Sequence, residues 1–586
     1  MSSITIALGL AAGLAVAPVH DPDQDRRPSS LLPHTTLAFA EFAGLGACRD
    51  AASGSELYAL LQRLATSRLG KSPAELVAQQ LLPQLNRDLA EAGLDARALR
   101  ELLSHPLALA AGRVVSFDND FMPSVALVVD TGDDGPRFDR MFGSFASRLV
   151  ENGDLRVDDE QFDGIALKVI RHERRSGDIA FARVDHFAVM TIGIGFMHDI
   201  LRTAKDGTHS IIAEPVAVAG RRFAGASPLL WGCVNVHPIA ELARLYAPYE
   251  ADPILAALGL DSVDGLVFGT SFQGGTSADF VRLLGKVRDD GLLAALGGGR
   301  VDPSLLASLS ADALLVGGCA MDTARIETAV HRFIAALPAI ARREMERGLD
   351  RELHRELERH HVPVAEIHEI LSSLGSEAAM GLALAPTGLG IPTGTLVVRL
   401  RDGQSVAERI ADLLGNAGLD LRSQDVGGVT LRWTSLEGVP SGVSPAFAEK
   451  DGKLFLSSDV RTLRRSLSGE GSSLSCSEDS DAFATIQHSA GWMWLRVTEN
   501  VTSLWKTYGP QVENLLEANP DAPIRAEDLP SAEELHAALR DVTIGAGIDA
   551  HGLAFRATSP VGFGGFLAGI GAIFDAAAGT RSKRDN

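Results

Sequence analysis

Cysteine is scarce in this chain: Cys48, Cys233, Cys319 and Cys476 are all there are in 586 residues. None has the close partner that zinc sites or redox dithiols require, so they read as buried or free thiols and a disulfide-dense scaffold is excluded. Two disulfides among the four are left open. A basic stripe is also lacking. Acidic residues outnumber Lys and Arg by 75 to 54, for a formal charge of -21. Nucleic acid is excluded as a partner, because neutralising phosphates takes clustered cations, and an anionic membrane surface is disfavoured for the same reason. Long apolar runs are missing too. The terminal stretch "GFGGFLAGIGAIF" belongs to a segment of 14 residues from Val561 to Phe574, short of the ~20 that a bilayer core demands.

The amino terminus is apolar from Ile4 to Val19 and then turns polar and proline-rich. That outline matches a secretory leader with a linker over residues 1–30, although no Lys or Arg precedes the apolar stretch. The small residues near Ala15 and Ala17 offer a cleavage point, with Pro18 an awkward follower. The expectation is an exported protein, periplasmic or extracellular.

With 46% apolar and 22% charged residues the composition is globular. The length exceeds one ordinary core, at about 100 to 200 residues per domain. The chain then repeats itself. "AFARVDHFAVMTIGIGFMHDIL" from 180 aligns without a gap on "AFAEKDGKLFLSSDVRTLRRSL" from 446. "FDGIALKV" from 162 pairs with "VGGVTLRW" from 426, and "VALVVD" from 125 with "GTLVVRL" from 394. "SPLLWGCVNVHPIAEL" from 227 falls on "AGWMWLRVTENVTSLW" from 490, placing Trp231 on Trp494. "HTTLAFAEFAGL" from 34 matches "ADALLVGGCAMD" from 311, and "VFGTSFQGG" from 267 matches "TIGAGIDAHG" from 543. The offsets lie between 263 and 277, with the blocks in the same order. The expectation is a tandem duplication of a unit of roughly 270 residues, with halves at 31–300 and 301–586. Each half ends in a glycine-rich apolar close, "DDGLLAALGGG" or "GFGGFLAGIGAIF". A counterpart in mid-chain makes the terminal run a packed segment rather than a span.

Each half opens on an alternating strand and continues through a helical region, Gly54–Ser104 or Thr323–Ser373. A strand near Val125, a helix from Phe138 to Val150, a strand near Ile165 and a hairpin at Asp185-His186 follow. In the second half the hairpin turn reads Asp451-Gly452, a strong turn signal. Strands joined by hairpins and interrupted by single helices predict an α+β fold, with antiparallel or mixed sheets packed against helices. The boundary should fall between Gly299 and Leu309.

The motifs that could carry chemistry each have a plainer reading. His354, Glu358 and His361 recur one turn apart, as metal ligands on a helix do, but in a highly charged stretch that reads as a solvated face. "DTGDDG" from 130 departs from the calcium-loop spacing and suits a turn and helix cap. Ser271 in "GTSFQGG" lacks the second glycine of a nucleophile elbow. Ser503 and Lys506 have serine-lysine spacing without the companion elements of penicillin-recognising enzymes. "GGGRVDPS" from 297 reads as a linker. The aligned positions of the halves are apolar or turn-forming, which is scaffold rather than active site. No metal, no cofactor and no catalytic residue is assigned.

"LLPHTTLAFAEFAGLGA", "SVALVVDTGD", "DGIALKV", "ILRTAKDG" and "ILAALGLDSVDGLVFGTSFQGG" together resemble exported bacterial proteins grouped under the domain of unknown function numbered 3352. The resemblance spans about Leu31 to Pro560 and implies a leader or tether, with no activity or site residue to carry over. The functional expectation is an exported, non-catalytic protein that binds a protein or small-molecule ligand, or has an envelope-associated structural role. A cleft between the halves is the natural ligand site. Membrane association through the leader, or less readily through the C-terminal apolar segment, stays open. The alternatives are a hydrolase with a non-standard Ser/His site and a cytoplasmic assembly protein.

Overall fold

A computed structural model describes residues 26–69, 87, 101–117, 120–151, 155–172, 178–207, 209–246, 251–260, 263–297, 299–345, 363–384, 392–435, 443–468, 474, 485–486, 488–519, 525–560, 562–565 and 567. Most of the leader, the His354/Glu358/His361 motif, Cys476 and the end of the apolar tail lie outside them.

Ten strands come from the first half: β1 (Ala38–Phe42), β2 (Leu107–Phe117), β3 (Asp120–Asp130), β4 (Leu155–Phe162), β5 (Ile165–His172), β6 (Ile179–Val184), β7 (Phe187–Ile192), β8 (Leu230–Asn235), β9 (Val263–Gln273) and β10 (Thr276–Gly285). Ten come from the second: β11 (Ala313–Ala320), β12 (Leu374–Leu384), β13 (Pro392–Leu400), β14 (Arg422–Val426), β15 (Val429–Trp433), β16 (Ala446–Lys450), β17 (Lys453–Ser457), β18 (Gly491–Leu495), β19 (Val542–Asp549) and β20 (Gly552–Ser559). They form one sheet in which the named strands pair antiparallel, so the fold is α+β with an antiparallel sheet rather than a mixed one. Hydrogen bonding orders the first ten as β4-β5-β6-β7-β3-β2-β1-β8-β9-β10. The second ten follow as β14-β15-β16-β17-β13-β12-β11-β18-β19-β20. The two orders are the same, and the segments paired by sequence occupy the same places in them. One detail of those pairings shifts: Trp231 faces Glu41, whereas Trp494 faces Val316 and not Gly318, two residues from where the sequence match puts it.

Turn chemistry repeats as well. The β4–β5 turn is Asp163-Gly164 with φ of 53 and 87°, and its counterpart, the β14–β15 turn, is Gly427-Gly428 with φ of 62 and 84°. Both have the left-handed conformation at two central residues that tight hairpins require.

The halves join edge to edge where β10 pairs with β20, from Ser277 opposite Ser559 to Leu284 opposite Gly552. The hairpin registers make Phe280 the counterpart of Arg556, and these two face each other at the middle of the seam. A local two-fold axis therefore passes between them. The glycine-rich closes cross this axis in both directions. The helix Leu292–Gly297, which follows β10, packs with Val287 against Ile548 and Leu553 of the second half. Residues 562–565 and Leu567, which follow β20, dock on the first half. The Gly564 N–H donates to Ser277 Oγ at 3.0 Å, the Phe563 N–H donates to Asp279 Oδ2 at 3.0 Å, and Leu567 is fully buried with Phe42, Leu229 and Phe272. The fit at Gly564 is close: a Cβ there would sit 2.8 Å from Ser277 Oγ and 2.9 Å from Leu229 Cδ1, so those side chains would have to shift. Among the described residues, then, the start of the terminal run is core; no helix among them is long and apolar enough to cross a membrane.

The outer strands β4 and β14 carry Asp158, Asp159 and Glu160, and Arg422 and Asp425. Such charges discourage pairing with a further strand.

Candidate functional site

The sheet presents comparable apolar rows in the two halves and covers them differently. Directly opposed residues of neighbouring strands share a face. In the first half such a row runs Leu109, Leu127, Met190, Phe181 and Lys168 across β2, β3, β7, β6 and β5. The 17-residue helix Gly135–Glu151 lies over it. Its Phe142 ring sits 4.8 Å from Phe181, with Phe145 at 6.4 Å, so aromatic side chains fill the space between helix and sheet.

In the second half the row is Met380, Leu396, Leu456, Phe447 and Arg432. Its covering helix, Ala407–Asn416, has ten residues. Glycines end it early: Gly415 closes the last turn and Gly418 follows with φ 81°, a common way to stop a helix. Ile410 and Leu414 of this helix line the space between helix and sheet, and Leu419 and Leu421 beyond its end line it too. What remains is an open groove of about 520 Å³, with a wall that is almost entirely apolar. That size lies in the range of about 300 to 1,000 Å³ for small-molecule sites.

The helix is fixed in place. Glu449 of β16 accepts the N–H groups of Val406 at 3.1 Å and Ala407 at 3.2 Å and the Ser405 hydroxyl at 2.9 Å, capping the helix and tethering it to the sheet. A carboxylate there also meets the positive end of the helix dipole. Two of the polar wall groups are occupied: Ser457 Oγ donates to the Gly394 carbonyl at 3.0 Å, and Ser458 Oγ accepts the Gly394 N–H at 2.8 Å. An apolar surface therefore dominates.

Beyond the groove the row continues through Gly317 and Met493 to Ile544. Met380, Leu396, Met493 and Ile544 are 41, 36, 38 and 41% exposed. The first-half equivalents Leu109 and Leu127 are only partly exposed, and Leu127 packs in a core cluster. Scattered exposed apolar residues are ordinary; these are neighbours in one row that leads into the groove.

The motifs singled out from sequence lie elsewhere. Ser503 and Lys506 are exposed on the helix Val497–Glu517. Ser271 sits within β9 opposite Ala278, in regular strand rather than an elbow. Gly132, Asp133 and Asp134 form a short 3-10 turn before the helix at Gly135, and the Asp130 carboxylate accepts the Gly132 N–H at 3.1 Å in a local turn, whereas Thr131 at the N-cap makes no side-chain cap bond. In the linker at 297–304, Asp302 accepts from the Ser304 N–H at 2.8 Å and hydroxyl at 2.7 Å and from Arg399 at 2.6 Å. The Ser304 hydroxyl first, and then its N–H and Arg399, hold the Asp302 carboxyl below the usual carboxylate range. Cys48 and Cys233 are buried and Cys319 half-buried; burial pushes the Cys233 thiol up to about 12. A buried Glu41 accepts from the Ser29 N–H and the Trp231 indole, each at 3.1 Å, which pins the entry segment to β1 and β8. Among the described residues no group of His, Cys, Asp and Glu is arranged to hold a metal ion.

Sequence reading missed the groove. Its signal was the pair of glycines, Gly415 and Gly418, that end the covering helix after ten residues, and glycines at a helix end form no motif by themselves.

No family model matches the chain, and no curated protein matches it. Among solved structures it is similar to crystal form I of TP0453, with 8% identity over 77% of this chain and 100% of that one. The TM-score of 0.14 is too low for that likeness to carry an argument.

Proposed function

We propose that this is a non-catalytic binding protein whose second half holds an apolar small molecule between the helix Ala407–Asn416 and the sheet. The observation that carries it is the open groove of about 520 Å³ at a place the other half fills with Phe142 and Phe145. The halves are copies of one duplicated unit, a reading supported by their shared strand order and by the matched segments. In this account one copy keeps a filled core while the other has become a site. Export to the periplasm or beyond rests on the leader-like amino terminus and on the resemblance to exported proteins of unknown function.

The test uses the full chain and a neutral apolar fluorophore, N-phenyl-1-naphthylamine. Wild type should bind it with a blue-shifted emission. Ile410→Phe combined with Leu414→Phe fills the groove as in the first half and should abolish that binding, with the thermal midpoint unchanged or raised. Equal binding by the filled variant would refute the site.

A further inference from the structure

The apolar row that floors the groove ends on a cation. Phe447, which lines the groove, lies directly opposite Arg432 on β15, and Thr434, just past the end of that strand, lines it too. The Arg432 side chain is only 14% exposed, so its charge is largely desolvated, and its place next to Phe447 in the row puts it beside the residues that line the groove rather than among them. Its hydrogen-bond partner is Glu408, in the first turn of the covering helix, whose side chain is 76% exposed. The two members of the pair are thus unequal. Arg432 is held by the fold; Glu408 reaches in from solvent on a flexible stem and could leave at little cost, since a carboxylate in water keeps its hydration. In the first half the row ends on Lys168, which pairs with Asp159 on the neighbouring strand rather than with the covering helix.

Resting on the binding reading above, we infer that the ligand is a single-chain anionic amphiphile of the fatty-acid class. Its hydrocarbon chain lies along Phe447, Leu456, Leu396 and Met380, and its carboxylate takes the place of Glu408 on Arg432. The exchange trades one carboxylate for another, so the buried guanidinium is never left unpaired, and a planar fork suits a carboxylate well. The exposed row beyond the groove, through Met493 to Ile544, gives longer chains further apolar contact. In an acidic protein of charge -21, one cation at the end of an apolar trough also selects an anionic head against the surrounding field.

The test measures displacement of N-phenyl-1-naphthylamine from the full chain by oleate and by oleyl alcohol, which share a chain and differ in the head. Oleate should compete better than the alcohol in wild type. Arg432→Gln should weaken oleate by about tenfold to a hundredfold, the worth of a charge-assisted hydrogen bond, and leave the alcohol unchanged. Glu408→Gln should strengthen oleate, because it removes the competing carboxylate, and it keeps the proposal testable if the arginine variant folds poorly. Equal competition by acid and alcohol, unaffected by either substitution, would overturn the head-group assignment while leaving the apolar site standing. Failure of both to compete, with the fluorophore itself unbound, would instead overturn the site and this inference with it.

Discussion

Leu567 tests whether the two halves close each other. It belongs to the second half in sequence, yet its side chain is fully buried in the first, among Phe42, Leu45, Leu229, Leu230 and Phe272. Leu567→Ala leaves the hydrogen bonds of Phe563 and Gly564 in place and removes only packing. For a fully buried leucine the loss, transfer plus cavity, is about 2 to 5 kcal/mol. At roughly 1.4 kcal/mol per decade that multiplies the population of locally opened molecules by between about 30 and a few thousand. Hydrogen exchange followed by mass spectrometry reads this without assuming that a chain of 586 residues unfolds in one step. Peptides covering β1 and the helix Leu45–Ser53, and those covering β8, should exchange faster, while peptides from β16 and β17 keep wild-type rates. Unchanged exchange in the first half, or acceleration confined to the second, would refute the crossed closure.

Three further outcomes follow from the same structure. Asp302→Ala, which removes the cap of the 3-10 helix Pro303–Ser308 and the partner of Arg399, should cost about 1 kcal/mol at neutral pH, read as a shift in urea midpoint. Because the folded carboxyl titrates below its unfolded value, its stabilisation is complete above the unfolded value and disappears as pH falls through the folded one; the variant and wild type should therefore converge in strong acid. Cys233, with its thiol near 12, should resist a disulfide reagent at pH 8 in the native protein and react once denatured, and a fast native reaction traced to it by peptide mapping would contradict the burial. Gly564→Ala should weaken the docking of the terminal segment, seen as faster proteolysis after Pro560, because the new Cβ meets Ser277, Leu229 and Thr270 within about 3 Å.

Much of the architecture was legible because it rests on local chemistry. The turn at Asp451-Gly452, the alternation in β1 and the helix over Phe138 to Val150 each stand where the residues put them. The repeated segments fall at matching places in the strand order, since apolar alternation and turn residues set both the match and the register. The single continuous sheet was not legible. It depends on β10 finding β20 across some 270 residues, and backbone pairing at a seam leaves little trace in side-chain pattern. The groove was hidden for a related reason. Glycines at a helix end give no motif, and Ile410 and Leu414 read as ordinary core until the shortened helix is seen. Arg432 and Glu408, 24 residues apart, gave no spacing signal either.

The most direct test of the account is native mass spectrometry of the full chain incubated with oleate, comparing wild type with Ile410→Phe plus Leu414→Phe. The account predicts one oleate mass retained by wild type and lost on denaturation, with none on the filled variant. Equal retention by both proteins, or none by either, would contradict the groove as a binding site.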